Sequence, residues 1–189
     1  MRIAITGALG VNGVFVLRAL REIGVEILAT GHDDDFSLAP ELAREVEFRY
    51  VDVTDRDSVQ SVLRRFRPQT VIHLAAILPV EAQGDPHVGY SVNIMGTANV
   101  LAVAREVGVA RVVFTSSKAA YGEVTGIHAH PTYLALTEND AVHPKNVYDY
   151  AKVASEGLGI NYQRTGGPEF AALRFATIFG PGKVGKHGP

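Results

Sequence analysis

Thr6-Gly7-Ala8-Leu9-Gly10-Val11-Asn12-Gly13 is the stretch on which the fold turns. It follows a short apolar run, Arg2–Thr6, and leads into a helical pattern at about Asn12–Ile23. A strand that turns at once into a helix needs a residue free to make a tight turn, and Gly7 can make it. Gly10 would let the backbone approach a pyrophosphate, and Gly13 would let the helix pack closely on the strand. The helix start at Val11 and Asn12 then offers free N–H groups and a partial positive charge to phosphate. Glycines alone are a weak signal. With a strand before them and a helix after them, they favour a dinucleotide-binding turn over a ligand-free one.

Short β-branched runs continue to alternate with longer helical patterns. Strands are expected at Glu26–Thr30, Glu47–Val51, Thr70–Leu74, Arg111–Thr115 and Phe170–Phe175, each apolar enough to be buried on both faces of a parallel sheet. Helices are expected at Arg56–Phe66, Pro86–Val107 and Val147–Arg164, with Thr54 as N-cap of the first. Val88, Met95, Val100, Leu101 and Val103 cover more than one face of the long middle helix, which should therefore be buried on both sides, in part by a second subunit. This alternation predicts an α/β fold, a doubly wound parallel sheet of the Rossmann type. Ligands in such sheets lie beyond the carboxyl ends of the strands.

At 189 residues the chain can bury one full core but not two large ones. A net charge of −2 gives no reason to expect a nucleic-acid or membrane-surface partner. Cysteine is absent, which excludes disulfides and thiolate metal sites and fits a reducing cytoplasm. Neither a signal peptide nor a membrane-spanning run is evident, so a cytoplasmic protein is expected. His128 and His130 lack an accompanying carboxylate cluster, and no metal site is expected.

A series of motifs adds to the turn. They are His73-Leu74-Ala75-Ala76, Asn93 with Gly96-Thr97-Ala98-Asn99, Thr115-Ser116-Ser117, Tyr121-Gly122, Tyr148-Asp149-Tyr150-Ala151-Lys152, Leu173-Arg174-Phe175 and Phe179-Gly180-Pro181-Gly182. In this order they resemble the extended short-chain dehydrogenase/reductase family, including its NAD-dependent epimerase/dehydratase members such as UDP-glucose 4-epimerases. The resemblance implies a bound nicotinamide dinucleotide touched by Leu74, Ala75 and Ala76, by Asp52 and Val53 at the adenine, and by Phe175, Thr177 and Ile178 near the nicotinamide. It also implies that Asn93 steadies the active-site helix and strand by hydrogen bonding.

The choice of cofactor is less direct. In NAD-binding members an acid ends the second strand and accepts hydrogen bonds from the adenosine ribose. Gly31 stands there, followed by His32, Asp33, Asp34 and Asp35. Glycine would leave room for the extra phosphate of NADP, and His32 could pair with it. Three aspartates and the lack of a nearby lysine or arginine oppose it, so NAD is preferred with Asp33 on the ribose.

Tyr148 and Lys152 are one helical turn apart and project from one face. A free tyrosine titrates at about 10, and a neighbouring ammonium together with the positive nicotinamide ring should lower that value. The resemblance makes Tyr148 the general base, has Lys152 hold the nicotinamide ribose, and makes Ser117 the partner of the reacting oxygen, with Ser116 as rival. Tyr150 points away and is read as packing. Lys118-Ala119 follow Ser117 in place of a dehydratase's Asp-Glu pair, so that reaction is rejected. The resemblance implies an epimerase acting on a nucleotide sugar by transient hydride transfer. A sugar or sugar-acid dehydrogenase is the alternative, and a non-catalytic cofactor sensor is the alternative from another class. Residues 1–168 would form the dinucleotide domain, and 169–189 the sixth strand and the start of a substrate domain that is largely absent. A homodimer is expected through the Pro86–Val107 and Val147–Arg164 helices.

Overall fold

The computed structural model describes residues 1–180. Pro181, Gly182 and the rest of the segment up to 189 lie outside the described residues. Six strands form one sheet in the order β3-β2-β1-β4-β5-β6, and all neighbours are parallel. They are β1 (Arg2–Thr6), β2 (Glu26–Gly31), β3 (Glu47–Tyr50), β4 (Thr70–His73), β5 (Arg111–Ser117) and β6 (Glu169–Phe175). Each falls within two residues of its expected bounds. The order reverses between β1 and β4, the switch point at which such sheets bind ligands.

Side chains alternate across the sheet, and two cores result. Ala4, Leu28, Val71 and Val112 face α2 (Arg56–Phe66), α5 (Thr97–Val107) and α6 (Val147–Arg164), meeting Val59, Leu63, Val100 and Leu101. Ile3, Ile5 and Ala29 face the other way, against Leu17 of α1 (Val11–Glu22) and Leu42 of a short 3₁₀ turn, Pro40–Arg44. The strand β6 departs from the expectation of burial on both faces. Phe170 joins the first core, but Leu173 and Phe175, which point to the opposite face, are 44% and 39% exposed.

Two local expectations are corrected. The N-cap of α2 is Asp55, not Thr54: its carboxylate accepts from the Asp57 N–H at 3.0 Å. Thr54 instead turns its N–H and hydroxyl onto Asp52 Oδ1, each at 2.8 Å. The run Pro86–Val107 is not one α-helix. It comprises α4 (Pro86–Tyr90), a π-helical turn at Ser91–Gly96, and α5, preceded by an unexpected short helix α3 (Pro79–Gly84). Within one chain Val88 and Met95 are exposed while Val100, Leu101 and Val103 are fully buried, so the chain itself covers one side of this run. Gly96 sits in the π turn because a Cβ there would lie 2.7 Å from Val53 Cγ2.

Gly13 is the tightest point of the first turn. A Cβ added there would lie 2.3 Å from the Ala8 carbonyl oxygen, a backbone atom with nowhere to go. Gly13→Val should therefore cost about 3 kcal/mol through overpacking. Urea unfolding should show a lower midpoint at an unchanged m-value, and an unchanged midpoint would contradict this packing.

Candidate functional site

A cleft of about 770 Å³ opens over the carboxyl ends of β1, β2 and β4. Gly7 and Gly10 form its floor, Gly31, His32, Asp33, Asp52 and Val53 one end, and Leu74, Ala75 and Ala76 the side formed by the segment after β4. Gly7 takes φ +65°, and a Cβ there would stand 2.7 Å from the Ala75 nitrogen, so the turn and that segment close on each other. Gly10 is extended and open: a Cβ there would meet only the Gly7 carbonyl oxygen, at 3.4 Å. It is also the N-cap of α1, with no side chain capping the helix and no acid in its first turn. The N-terminal N–H groups at Val11 and Asn12 are thus available to an anion, in a cradle that any larger residue at Gly10 would fill. Val11, Asn12 and Gly13 build this end from within α1 and do not line the cleft itself.

At the other rim of β2, His32 Nε2 lies 3.1 Å from Asp33 Oδ2, and Asp33 Oδ1 accepts from the Asp35 N–H. Asp35 also lines the cleft, and the Ser37 N–H that it accepts holds its carboxyl below the usual range. Among the described residues no lysine or arginine lines this cleft. Asp52 lines the cleft, and its Oδ1 organises the turn into α2 by accepting from Thr54. Asn99 pins the same turn, donating to the carbonyls of Val53 and Thr54 at 2.9 and 3.0 Å. Asn99 belongs to the Gly96–Asn99 motif, but nothing in its spacing foretold this partner. Tyr50, Ile77 and His87 line the cleft and were missed, for they carry no motif signal.

A second group gathers where α6 lies on the end of β5. Lys152 is 4% exposed and donates to the Thr115 carbonyl at 2.7 Å, with its ammonium 4.8 Å from the Phe114 ring centre and 5.4 Å from that of Tyr148. Burial brings its pKa down to about 8, against the opposing charge of Glu156. Burial also pushes the Tyr148 phenol above its ordinary range; a hydrogen bond with Ser117 pulls it back and the Asp149 carboxylate raises it further. This corrects the expectation of a lowered Tyr148, since desolvation outweighs any help from a lysine turned toward Thr115.

The two serines separate by strand alternation. Ser116 is buried and donates to Glu156 Oε1, whose carboxylate is gripped by Arg174 Nε at 3.0 Å and Nη2 at 2.7 Å. Ser117 is left facing Tyr148, and its Oγ also accepts from the Ala119 N–H at 3.1 Å. The Asn93 side chain spans Ile77, accepting from its N–H at 2.8 Å and donating to its carbonyl at 3.0 Å. Its link to the active-site helix is made instead by its backbone carbonyl, which accepts from Ser155 of α6 at 2.9 Å. Tyr150, expected to pack, is 52% exposed. Phe175, Thr177 and Ile178 do not line the cleft: they stand at and past the end of β6, about 14 Å from β1 at roughly 4.8 Å per strand.

The buried ammonium has a consequence for stability. The folded-state pKa of Lys152 lies below its unfolded value, so the folded form carries the full penalty below about pH 8. That penalty falls away as pH rises from about 8 to 10.5, where the unfolded chain alone still holds the proton. Lys152→Met should therefore be more stable than the unmodified protein at pH 7, by on the order of 2 kcal/mol, with the advantage shrinking toward pH 10. A variant less stable at pH 7 would show that the Thr115 contact outweighs desolvation.

Known proteins share this architecture. Residues 3–189 match the model of the NAD dependent epimerase/dehydratase family. The UDP-glucose 4-epimerase of Mycolicibacterium smegmatis is 32% identical over 188 residues, covering 96% of this chain and 57% of its own. The crystal structure of Thermus thermophilus UDP-glucose 4-epimerase in complex with NAD superposes with a TM-score of 0.87 at 31% identity, over 100% of this chain and 58% of that one. L-threonine dehydrogenase from Clostridium difficile gives a TM-score of 0.80 at 28% identity, over 92% and 52%. The chain thus spans a little over half the length of the relatives it matches. With the family model running through nearly all of it, the chain belongs to the NAD dependent epimerase/dehydratase family.

Proposed function

We propose that this chain carries the dinucleotide and acid-base machinery of an NAD-dependent nucleotide-sugar 4-epimerase. The observation that carries the reading is the pairing of an open glycine cradle at α1 with Ser117, Tyr148 and a buried Lys152 at the end of β5. NAD would lie with its pyrophosphate on Gly7, Gly10, Val11 and Asn12, its adenosine toward Asp33, Asp52 and Val53, and its nicotinamide toward Lys152, Phe175, Thr177 and Ile178. Bound there, it supplies the acceptor and donor of the hydride. Asp33 and Asp35, without a lysine or arginine in the cleft, support NAD over NADP.

Tyr148 takes the proton of the reacting sugar hydroxyl and later returns it. To act as base Tyr148 must first lose its own proton to solvent, a loss that burial opposes and that the Lys152 ammonium and the positive nicotinamide ring of bound NAD would favour. Ser117 donates to the reacting oxygen and aligns it with Tyr148. Lys152, held by Thr115, brings positive charge beneath the Tyr148 ring and favours the phenolate once substrate is in place. Asn93 keeps the segment after β4 and the helix α6 in register. Residues 1–168 form the dinucleotide unit, and 169–189 lead toward the part that selects the sugar. The exposed Val88, Met95, Tyr150 and Ile160 support a homodimer through α4–α5 and α6. The absence of cysteine supports a cytoplasmic setting, and no described helix is long and apolar enough to cross a membrane.

A dehydrogenase is the second reading, supported by the likeness to L-threonine dehydrogenase. The two part on turnover. Incubation with NAD and a panel of UDP-hexoses should yield the 4-epimer with no net absorbance at the NADH band, whereas NADH accumulating in proportion to an oxidised product would select the dehydrogenase. Tyr148→Phe should reduce kcat by about 10²- to 10⁴-fold while NAD binding is kept. Undiminished turnover in that variant would remove Tyr148 as the acid-base group.

A further inference from the structure

His73 closes β4 and is 1% exposed, yet every polar atom of its ring has a partner. Nδ1 lies 2.6 Å from Thr6 Oγ1, and Nε2 lies 3.0 Å from Thr97 Oγ1. The directions of these bonds can be worked out from the neighbours. Thr97 has one hydroxyl proton, and it goes to the Asn93 carbonyl at 2.7 Å. Thr97 can then only accept from His73, so Nε2 bears hydrogen. Burial and the nearby Lys152 ammonium take the ring's pKa down to about 3, so Nδ1 is a bare acceptor. The Thr6 hydroxyl must donate to it, which leaves Thr6 Oγ1 free to accept from the Ala75 N–H at 3.4 Å.

The result is a single directed chain with its two ends in different parts of the site. One end is Ala75 and Thr6, the backbone that closes on Gly7 beside the cleft. The other is the Asn93 carbonyl, which also takes the Ser155 hydroxyl of α6, three residues beyond Lys152. We infer that His73, fixed in the neutral Nε2–H form, is a positioning residue that sets the dinucleotide turn in register with the helix bearing Tyr148 and Lys152. This inference rests on the functional reading above. The ring touches neither end of the reaction. It acts through Thr6 on one side and through Thr97 and Asn93 on the other.

The test uses Thr97→Val, which keeps the side-chain shape and removes the acceptor of the Nε2 proton. The imidazole proton should then move to Nδ1, where Thr6 can accept it, and Thr6 must turn its own hydroxyl away. In ¹⁵N-histidine NMR at pH 7 the unmodified protein should show His73 as the Nε2–H tautomer, and Thr97→Val as Nδ1–H. NAD titration should show roughly tenfold weaker binding in Thr97→Val, the scale of one lost buried hydrogen bond, and recovery in Thr97→Ser. An Nδ1–H or charged His73 in the unmodified protein overturns the chain of bonds, whether or not Thr97→Val folds. A tautomer switch that leaves NAD affinity unchanged overturns the transmission to the turn. If the unmodified protein shows the Nε2–H form but binds no NAD, the cofactor site fails and the positioning role with it, while the hydrogen-bond directions stand.

Discussion

The backbone packing at the β1–α1 turn is the constraint on which the rest of the site depends. Gly13 lies against the Ala8 carbonyl and Gly7 against the backbone of Ala75, distances that no side chain could share. These two contacts seat α1 directly on the strand end and bring the segment after β4 alongside it. The open space above Gly10 is what remains between them. A helix N-terminus without a capping side chain then faces that space, where the α1 dipole and its free N–H groups would favour an anion. Without the close approach at Gly13, α1 would stand away from the sheet and its N–H groups would lose their aim.

The second half of the site depends on α6 being fastened at successive turns to β5, the π turn and β6. Tyr148 meets Ser117, Lys152 meets the Thr115 carbonyl, Ser155 meets Asn93, and Glu156 meets Ser116 and Arg174. The contacts at 148, 152, 155 and 156 lie on one helical face. This fastening holds an ammonium in a place where burial alone would not keep it. The cost falls on stability, and the benefit is a positive charge fixed under the tyrosine ring. The Glu156–Arg174 pair is better placed than a surface ion pair to contribute, because it is bidentate, largely sheltered and shared with a buried serine.

Much of this was legible in the sequence because it follows from local rules. The glycine spacing, the alternation of strands with helices, and the four-residue interval between Tyr148 and Lys152 each impose their geometry within one turn of chain. Strand alternation also separates Ser116 from Ser117, although the partner that occupies Ser116, Glu156, lies 40 residues on and could not be read locally. The π turn at Ser91–Gly96 was invisible for a similar reason: it comes with a side chain bridging to Ile77 and a glycine accommodating Val53, both distant in sequence. Asp55 took the cap from Thr54 because Asp52 had already engaged the threonine. The direction of the Tyr148 shift was misjudged since desolvation depends on everything packed around a group, not on its nearest charge.

The central claim is that the space above Gly10 receives the pyrophosphate of NAD. Gly10→Val addresses it directly, because the Gly10 backbone is extended, with φ −66° and ψ 165°, and its Cβ position is open, so the variant should fold and unfold as the unmodified protein does. Calorimetric titration with NAD should then give saturable binding to the unmodified protein and none to Gly10→Val at matched stability. Equal affinity in the two, or no binding by the unmodified protein, would contradict the account.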